Sequence, residues 1–171
     1  MNAYLIEEPA VSARGEQPYV GVARGVTMET IHEIADRVPW VIGRLAELGI
    51  APAGPPFLRY RVIDMKNLLQ VEAGVPVAAA PELPPDSGLF ADVLPGGRYL
   101  TADCVGTADV AVTREFLEWA QAHEMRWDRD TTSAGDRWGC RLERFLTNPA
   151  EEPDPEKWRT ELAFRLADGA Y

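Results

Sequence analysis

The sequence predicts an α+β fold in which two strand–helix–strand–strand units form a largely antiparallel sheet, with two helices on one face and a ligand cleft on the other. The first observation is a repeat: residues 18–23 match residues 98–103, and a helical pattern follows each match. The second is a glutamate at the same register of each copy's last strand, Glu72 and Glu161. Because an internal repeat constrains a fold more than a single motif does, we expect a pseudo-symmetric sheet.

Turn signals divide the first half of the chain into a strand, a helix and two further strands. Thr27 is expected to cap the helix, Pro39 to kink or divide it because proline lacks a backbone N–H, and Gly49 to end it. Apolar residues recur at helical spacing between these points and form one broad stripe. The expected order is a polar loop at 10–17, a strand at 19–24, the helix, and strands at 57–64 and 69–77.

The second half repeats this plan. Asp109 is expected to cap a helix that runs through His123. The remaining expected elements are strands at 89–93, 99–105, 138–146 and 158–166, with polar loops at 131–136 and 147–157. In the last strand, alternation places Leu162 and Phe164 on the face that packs under the helices. Glu161 then faces away from the helices, toward the face where a cleft is expected.

The length of 171 residues suits one domain with its own core. We expect a single domain over residues 1–171, made of a first repeat at about 4–78, a linker at 79–88 and a second repeat at about 89–171. The linker contains three prolines, but we expect both repeats to share one sheet.

Composition excludes several classes of partner. A formal net charge of −10 argues against direct nucleic-acid binding, which needs clustered lysine and arginine. No run approaches the roughly 20 apolar residues of a membrane span, and residues 1–8 lack the features of a signal peptide, so a cytoplasmic location is expected. The two histidines have no ligand spacing and the two cysteines suggest no disulfide framework, so neither a metal nor a cofactor is expected.

Aromatic residues and one carboxylate form the candidate ligand site. An aromatic face beside a carboxylate is the usual site for a flat organic cation. Glu161 is the candidate carboxylate; the alternative is a surface residue that pairs with Arg159 or Arg165. Trp40 lies off the apolar stripe, where it either lines a cleft or fills the gap left by Pro39. The other candidate ligand-binding residues are Tyr60, Trp138, Phe57 and Phe145, the last two of which equally suit a core position.

Three segments carry a resemblance to a known family. Residues 48–57 (LGIAPAGPPF), 94–99 (LPGGRY) and 158–164 (WRTELAF) resemble the GyrI-like family, a small-molecule-binding domain also fused to some AraC-type and MerR-type regulators. The resemblance covers nearly the whole chain, in order and at both repeats. It departs where the family commonly has a His-Gly-Pro-Tyr-like stretch, which is replaced here by residues 24–27 and 105–108.

The resemblance implies a duplicated SHS2 module with an aromatic cleft in which an acidic residue meets lipophilic cations. The family's glutamate on the last strand corresponds to Glu161. Some stand-alone members resemble hydrolases that open the cyclopropane of DNA-alkylating natural products. No DNA-binding segment is visible in the sequence, so direct transcriptional control by this chain is not expected.

Two functions therefore compete. The first is a module that binds bulky lipophilic, often cationic aromatic molecules. The second is a hydrolase of the same cleft, with Glu161 as the general base on water and Tyr60 or Trp138 donating to the oxygen where charge develops. A protein partner is a third possibility, but no run of acidic residues supports it.

Overall fold

The computed structural model describes residues 4–106 and 109–169. Residues 107 and 108, part of the segment that departs from the family motif, lie outside the described residues. The helices are α1 (His32–Ala35), α2 (Val38–Glu47) and α3 (Val110–Ala122), with a short 3₁₀ helix at Pro155–Lys157. The strands are β1 (Tyr4–Leu5), β2 (Ala10–Arg14), β3 (Gln17–Val26), β4 (Phe57–Ile63), β5 (Leu69–Pro76), β6 (Phe90–Leu94), β7 (Gly97–Val105), β8 (Arg129–Thr132), β9 (Gly135–Trp138), β10 (Arg141–Phe145) and β11 (Arg159–Arg165).

All eleven strands belong to one curled antiparallel sheet, which confirms the predicted fold class. The main order is β1-β7-β11-β10-β4-β5-β3-β6; β2 also pairs with β7, and β9 joins β8 to β4. The helices pack on one face of this sheet. Among the described residues, no helix is both long enough and apolar enough to cross a membrane.

The strand register follows the sequence repeat. Glu72 of β5 lies opposite Ala23 of β3, and Glu161 of β11 lies opposite Asp103 of β7. Ala23 and Asp103 are equivalent positions of the repeat, so the two glutamates occupy equivalent places in the sheet.

The repeats meet where the central strands β4 and β10 pair. Leu58 lies directly opposite Glu143, and these two positions are equivalent in the repeat. The flanking pairs obey the same symmetry: Arg59 with Leu142, and Phe57 with Arg144. Glu143 therefore lies at the pseudo-twofold axis of the sheet, where the first copy has a leucine.

The helix face contains two apolar clusters that cover the outer strands. Helices α1 and α2 pack on β3 and β5, with Ile34, Val41 and Leu45 completely buried. Helix α3 packs on β7 and β11 through Phe116 and Ala120. The central strands β4 and β10 lie between these two helical layers, and Ile63 of β4 contacts both clusters.

Local signals explain the helix ends. Pro39 lies in the first turn of α2, where its missing N–H is not needed, and it divides the predicted helix after Ala35. Asp109 caps α3 as predicted, accepting a hydrogen bond from the Val112 backbone at 2.8 Å. The predicted cap at Thr27 is wrong: Ile31 is the N-cap of α1, and Thr27 bonds instead to Thr30 in the preceding turn.

Three predicted segments differ in the structure. The predicted loop at 10–17 contains β2, which pairs along β7, and the predicted loop at 131–136 belongs to the β8–β9 hairpin. The predicted strand at 138–146 is interrupted at Gly139 and Cys140, which separate β9 from β10. In β2 and β8 no residue is buried, so neither strand shows the alternation of buried apolar and exposed polar residues that marks a strand in sequence.

The helix-free face has its own buried cluster. Its largest members are Tyr19, Phe57 and Tyr99, and the Tyr19 and Phe57 rings meet edge to face at 5.2 Å. A Cβ atom at Gly74 would lie 2.6 Å from Cζ of Phe57 and 2.9 Å from Cδ2 of Tyr19. Glycine at position 74 therefore lets both rings pack directly on the backbone of β5.

We expect Gly74→Ala to destabilise the protein by about 1–3 kcal/mol, since overpacking displaces both rings. Gly43→Ala is the matched control, because a Cβ atom there meets no atom within 4 Å and α2 gains helix propensity of about 1 kcal/mol. Urea unfolding of both variants checks the opposite signs. Equal effects would contradict the close packing at Gly74.

Candidate ligand-binding site

The structure divides the six predicted site residues between the two faces of the sheet. The division follows from strand alternation, since neighbouring residues of one strand point to opposite faces. Phe57 and Glu161 lie on the helix-free face, Tyr60, Trp138 and Phe145 lie on the helix face, and Trp40 lies on α2. They therefore do not form one cleft.

Glu161 is held by two arginines from other strands. Its carboxylate lies 2.9 Å from Arg14 and 2.6 Å from Arg144, and its side chain is 14% exposed. The alternative partners considered from sequence, Arg159 and Arg165, pair with other carboxylates. The negative charge of Glu161 is thus already balanced within the protein.

Glu72, its symmetry mate, also has partners within the protein. It accepts hydrogen bonds from the hydroxyl of Tyr19 and, at 3.0 Å, from Nε of Arg61. Arg59 donates to the same Tyr19 hydroxyl at 3.0 Å. Burial and the nearby Glu72 raise the pKa of Tyr19, so this phenol stays protonated and continues to donate.

Glu143 has a different environment. It lies on the helix face of β10, where its Oε1 accepts a hydrogen bond from the Tyr60 hydroxyl at 3.0 Å. Among the described residues, no arginine, lysine or histidine nitrogen forms an ion pair with it. Burial raises the pKa of Glu143, and the Tyr60 hydrogen bond and the charge of Arg141 offset part of that rise. The residue nevertheless keeps a partly exposed surface.

The guanidinium of Arg141 is surrounded by aromatic rings, as a bound aromatic-site cation would be. Its guanidinium carbon lies 4.7 Å from the ring centre of Trp138, 4.5 Å from that of Phe164 and 5.7 Å from that of Tyr60. Its Nε is buried without a hydrogen-bond partner. Burial lowers the pKa of Arg141 to about 10, while Glu143 acts in the opposite direction. The helix face thus holds a cation among aromatic rings beside a buried carboxylate.

These side chains lie on the central strands, between the two helical layers. We call this region the central groove and assign to it Tyr60 of β4 and Arg141 and Glu143 of β10. Phe145 follows two residues along β10 on the same face and packs against the α1–α2 cluster. On the α3 side, the ring of Trp127 lies 5.5 Å from that of Trp138.

Sequence reasoning missed Glu143 and Arg141. The signal was the alternation of residues 141–145, which puts two charged residues on the same strand face as Phe145. The equivalence of Glu143 with the buried Leu58 was a second signal, since an acid at the counterpart of a core leucine is unusual.

Comparisons with solved structures identify the fold. No protein-family model and no curated protein matches the sequence. The C-terminal domain of EcmrR superposes with a TM-score of 0.70 at 15% identity, over 95% of this chain and 99% of that one. SAV2435 bound to tetraphenylphosphonium gives 0.55 at 12% identity, over 95% of both chains. A hydrolase from Listeria innocua gives 0.56 at 15% identity, over 94% of this chain and 92% of that one.

The chain has the GyrI-like fold. In a complex of EcmrR with DNA, the match has a TM-score of 0.72 at 14% identity and covers 93% of this chain but only 57% of EcmrR. At these identities the comparisons establish the fold, and the chemistry has to be argued from the side chains.

The possible metal ligands and the two thiols are located among the described residues. Among residues 4–106 and 109–169, no group of three or more His, Cys, Asp or Glu residues is placed to hold a metal ion. Cys104 and Cys140 are free and buried. Burial raises the pKa of Cys104 to about 11 and also raises that of Cys140, so both thiols stay protonated near neutral pH.

We expect Glu143→Gln to stabilise the protein at neutral pH. The pKa of Glu143 is higher in the folded protein than in the unfolded chain. The free energy of unfolding is therefore highest at a pH below the unfolded-state pKa, and it falls as the pH rises through the folded-state pKa. Glutamine removes that loss and can still accept the Tyr60 hydrogen bond. Urea unfolding at pH 4 and pH 7.5 should show a gain over the wild type that is larger at the higher pH.

Glu161→Gln is the comparison variant, because it breaks two ion pairs and should lower the stability at pH 7.5. A Glu143→Gln variant that loses as much stability at pH 7.5 as Glu161→Gln would show that the Glu143 charge holds the fold together.

Proposed function

We propose that the protein binds bulky, lipophilic aromatic molecules, organic cations among them, in the central groove. The observation that carries the proposal is the carboxylate of Glu143, which accepts a hydrogen bond from Tyr60 and lies on the same strand face as Arg141, a cation held among aromatic rings. A buried acid without an ion pair is costly for a fold and is typical of binding and catalytic sites. SAV2435, which shares this fold, is bound to tetraphenylphosphonium, a lipophilic aromatic cation.

Glu143 takes the role that the sequence resemblance implies for Glu161. At Glu161 a ligand cation would have to displace Arg14 or Arg144, each within 3 Å of the carboxylate. At Glu143 only Oε1 accepts a hydrogen bond from the described residues, which leaves Oε2 for a ligand. Tyr60, Trp138 and Phe145 remain in the proposed site.

Trp40 and Phe57 have other roles in this proposal. Trp40 stacks under the guanidinium of Arg37 at 4.1 Å and meets the end of the linker at Gly88. Phe57 belongs to the buried cluster of the helix-free face. We propose that both residues stabilise the fold and do not contact a ligand in the central groove.

Arg141 sets the affinity of the groove for cations. Its guanidinium occupies the aromatic surroundings that a ligand cation would use, and its positive charge opposes a second cation there. A bound cation must therefore displace this side chain or lie beside it on Glu143. The groove accordingly favours large apolar cations, whose burial supplies most of the binding free energy.

We expect Glu143→Gln to weaken binding of tetraphenylphosphonium roughly tenfold and Arg141→Met to strengthen it by a similar factor, about 1.4 kcal/mol each. Isothermal titration calorimetry measures both changes. Glu115→Gln, an exposed change of the same charge on α3, is the matched control and should leave the affinity unchanged. A loss on Glu161→Gln with no loss on Glu143→Gln would move the cation site to the helix-free face.

A hydrolase is the second candidate function. The observation that favours it is the geometry of Glu143, whose Oε1 is held by the Tyr60 hydroxyl while no described residue donates a hydrogen bond to Oε2. Burial also raises the pKa of Glu143, and a carboxylate with a raised pKa is a stronger general base. The hydrolase from Listeria innocua shows that the same fold occurs in an enzyme. The substrate class that we propose is an aromatic natural product with a cyclopropane conjugated to a carbonyl group.

The chemical step would use water as the nucleophile. Glu143 takes a proton from water while the water oxygen bonds to a cyclopropane carbon and the ring C–C bond breaks. The electron pair of that bond moves through the conjugated system to the carbonyl oxygen, which later takes the proton from Glu143. Arg141, whose charge acts on Glu143 and whose Nε has no hydrogen-bond partner, is the donor that can stabilise the negative oxygen. The single O–H of Tyr60 is donated to Glu143 and becomes available to that oxygen once Glu143 carries the proton.

Turnover separates the two functions. With a spirocyclopropyl cyclohexadienone in tenfold excess over protein, an enzyme removes the dienone absorbance completely, whereas a binding protein affects at most one equivalent. If the protein is an enzyme, Glu143→Gln should reduce kcat by at least a hundredfold and Glu115→Gln should not. Loss of one equivalent or less in the wild type would reject the hydrolase.

We also propose that this chain does not itself contact nucleic acid. Its net charge of −10 repels phosphates, and the described chain corresponds to 57% of the EcmrR chain seen with DNA. A cytoplasmic role in protection against toxic aromatic compounds, including multidrug or xenobiotic resistance, is part of the same proposal.

A further inference from the structure

A second cleft lies on the opposite side of the sheet from Glu143. Its volume is about 500 Å³, which suits a small organic molecule. The buried side chains of Phe57, Leu142 and Tyr99 lie beneath it, each at most 2% exposed. Pro55 and Pro95 stand at its edges and add rigid apolar surface. We call it the arginine cleft, because two guanidiniums line it.

These guanidiniums belong to Arg14 and Arg144. Both line the arginine cleft, and their side chains are 27% and 25% exposed. Both bind the carboxylate of Glu161, which does not itself line the cleft. The positive groups therefore face the cleft, and the carboxylate that balances them lies to one side.

Most of the donors on these guanidiniums are unused. Arg14 binds both oxygens of Glu161 through Nη2 alone, and Arg144 binds through Nη1 alone. An arginine has five N–H donors. No other hydrogen bond from either guanidinium is present among the described residues. Glu16 is the one acidic residue of the lining, and it is exposed to solvent.

We propose that the arginine cleft binds a small aromatic carboxylate. The carboxylate lies against the free donors of Arg14 and Arg144, and the ring packs on the apolar surface of Pro55 and Pro95. A guanidinium matches a carboxylate in planarity and in the spacing of its donors, and Glu161 already shows this recognition within the protein. The ligand thus has the opposite charge to the one expected from the position of Glu161 in the sequence.

This site is independent of the central groove, because the two lie on opposite faces of the sheet and share no side chain. Isothermal titration of 1-naphthoate into the wild-type protein tests it, with 1-naphthamide as a neutral ligand of the same shape. We expect saturable binding of one naphthoate, at least tenfold tighter than the amide, and weaker at high salt concentration.

Variants test the named residues. Arg144→Gln should weaken naphthoate binding at least tenfold, whereas Arg114→Gln, the same change on an exposed position of α3, should not alter it. Glu161→Gln should strengthen binding, because it removes the internal carboxylate that competes for the guanidiniums. Far-UV circular dichroism and thermal unfolding establish whether each variant is folded.

Two results with the wild-type protein would overturn the proposal whether or not the variants fold. One is equal affinity for naphthoate and naphthamide, and the other is no saturable binding of either ligand. Naphthoate binding that is indifferent to Arg144→Gln, or unchanged in folded Glu161→Gln, would also overturn it. Because tetraphenylphosphonium and naphthoate report on opposite faces, failure in one titration leaves the other result unaffected.

Discussion

The pairing of the two central strands sets the rest of the structure, because it joins the repeats into one sheet. Leu58 and Glu143 face each other at the pseudo-twofold axis, and every other strand is added outward from them. Each repeat then places its helices on its own outer strands, and the centre of the helix face is left between the helical layers. The position of the proposed central groove is therefore a consequence of the symmetry, and Glu143 is the residue that lies at its axis.

The sequence predicted the architecture well because the repeat and the alternation of apolar residues carry that information directly. Glu72 and Glu161, which match in the sequence repeat, occupy equivalent positions in the strand register. Leu162 and Phe164 lie on the predicted face and pack against Phe116. The largely exposed strands β2 and β8 were not predicted, nor were residues 135–137 of β9. The pairing of β2 depends on β7, which is distant in sequence. Alternation is informative only where one face of a strand is buried.

The candidate site was harder to predict, since alternation shows which residues share a face but not what covers that face. Tyr60, Trp138 and Phe145 were grouped from sequence with Glu161, which lies on the opposite face of the sheet from them. The partners of Glu161 could not be foreseen. Arg14 comes from a strand that was read as a loop, and Arg144 was not considered. Arg14 and Glu161 are 147 residues apart in sequence, so a local sequence pattern cannot show that they form an ion pair.

The contrast between Glu143 and Leu58 is the strongest reason to assign Glu143 a function. The equivalent position in the first repeat shows that this place in the fold accepts a fully apolar side chain, so the fold itself does not require an acid there. Burial makes the ionised form of Glu143 unfavourable, and its counter-charge, Arg141, has a buried nitrogen without a partner. Two incompletely satisfied charges at the centre of a groove lower the stability of the folded protein. By contrast, Glu161 pairs with two arginines, and Glu72 pairs with Arg61 and the Tyr19 hydroxyl, as expected of residues that hold strands together. Since proteins commonly lose stability where they bind or react, the pair at the axis is where a ligand would restore the missing contacts.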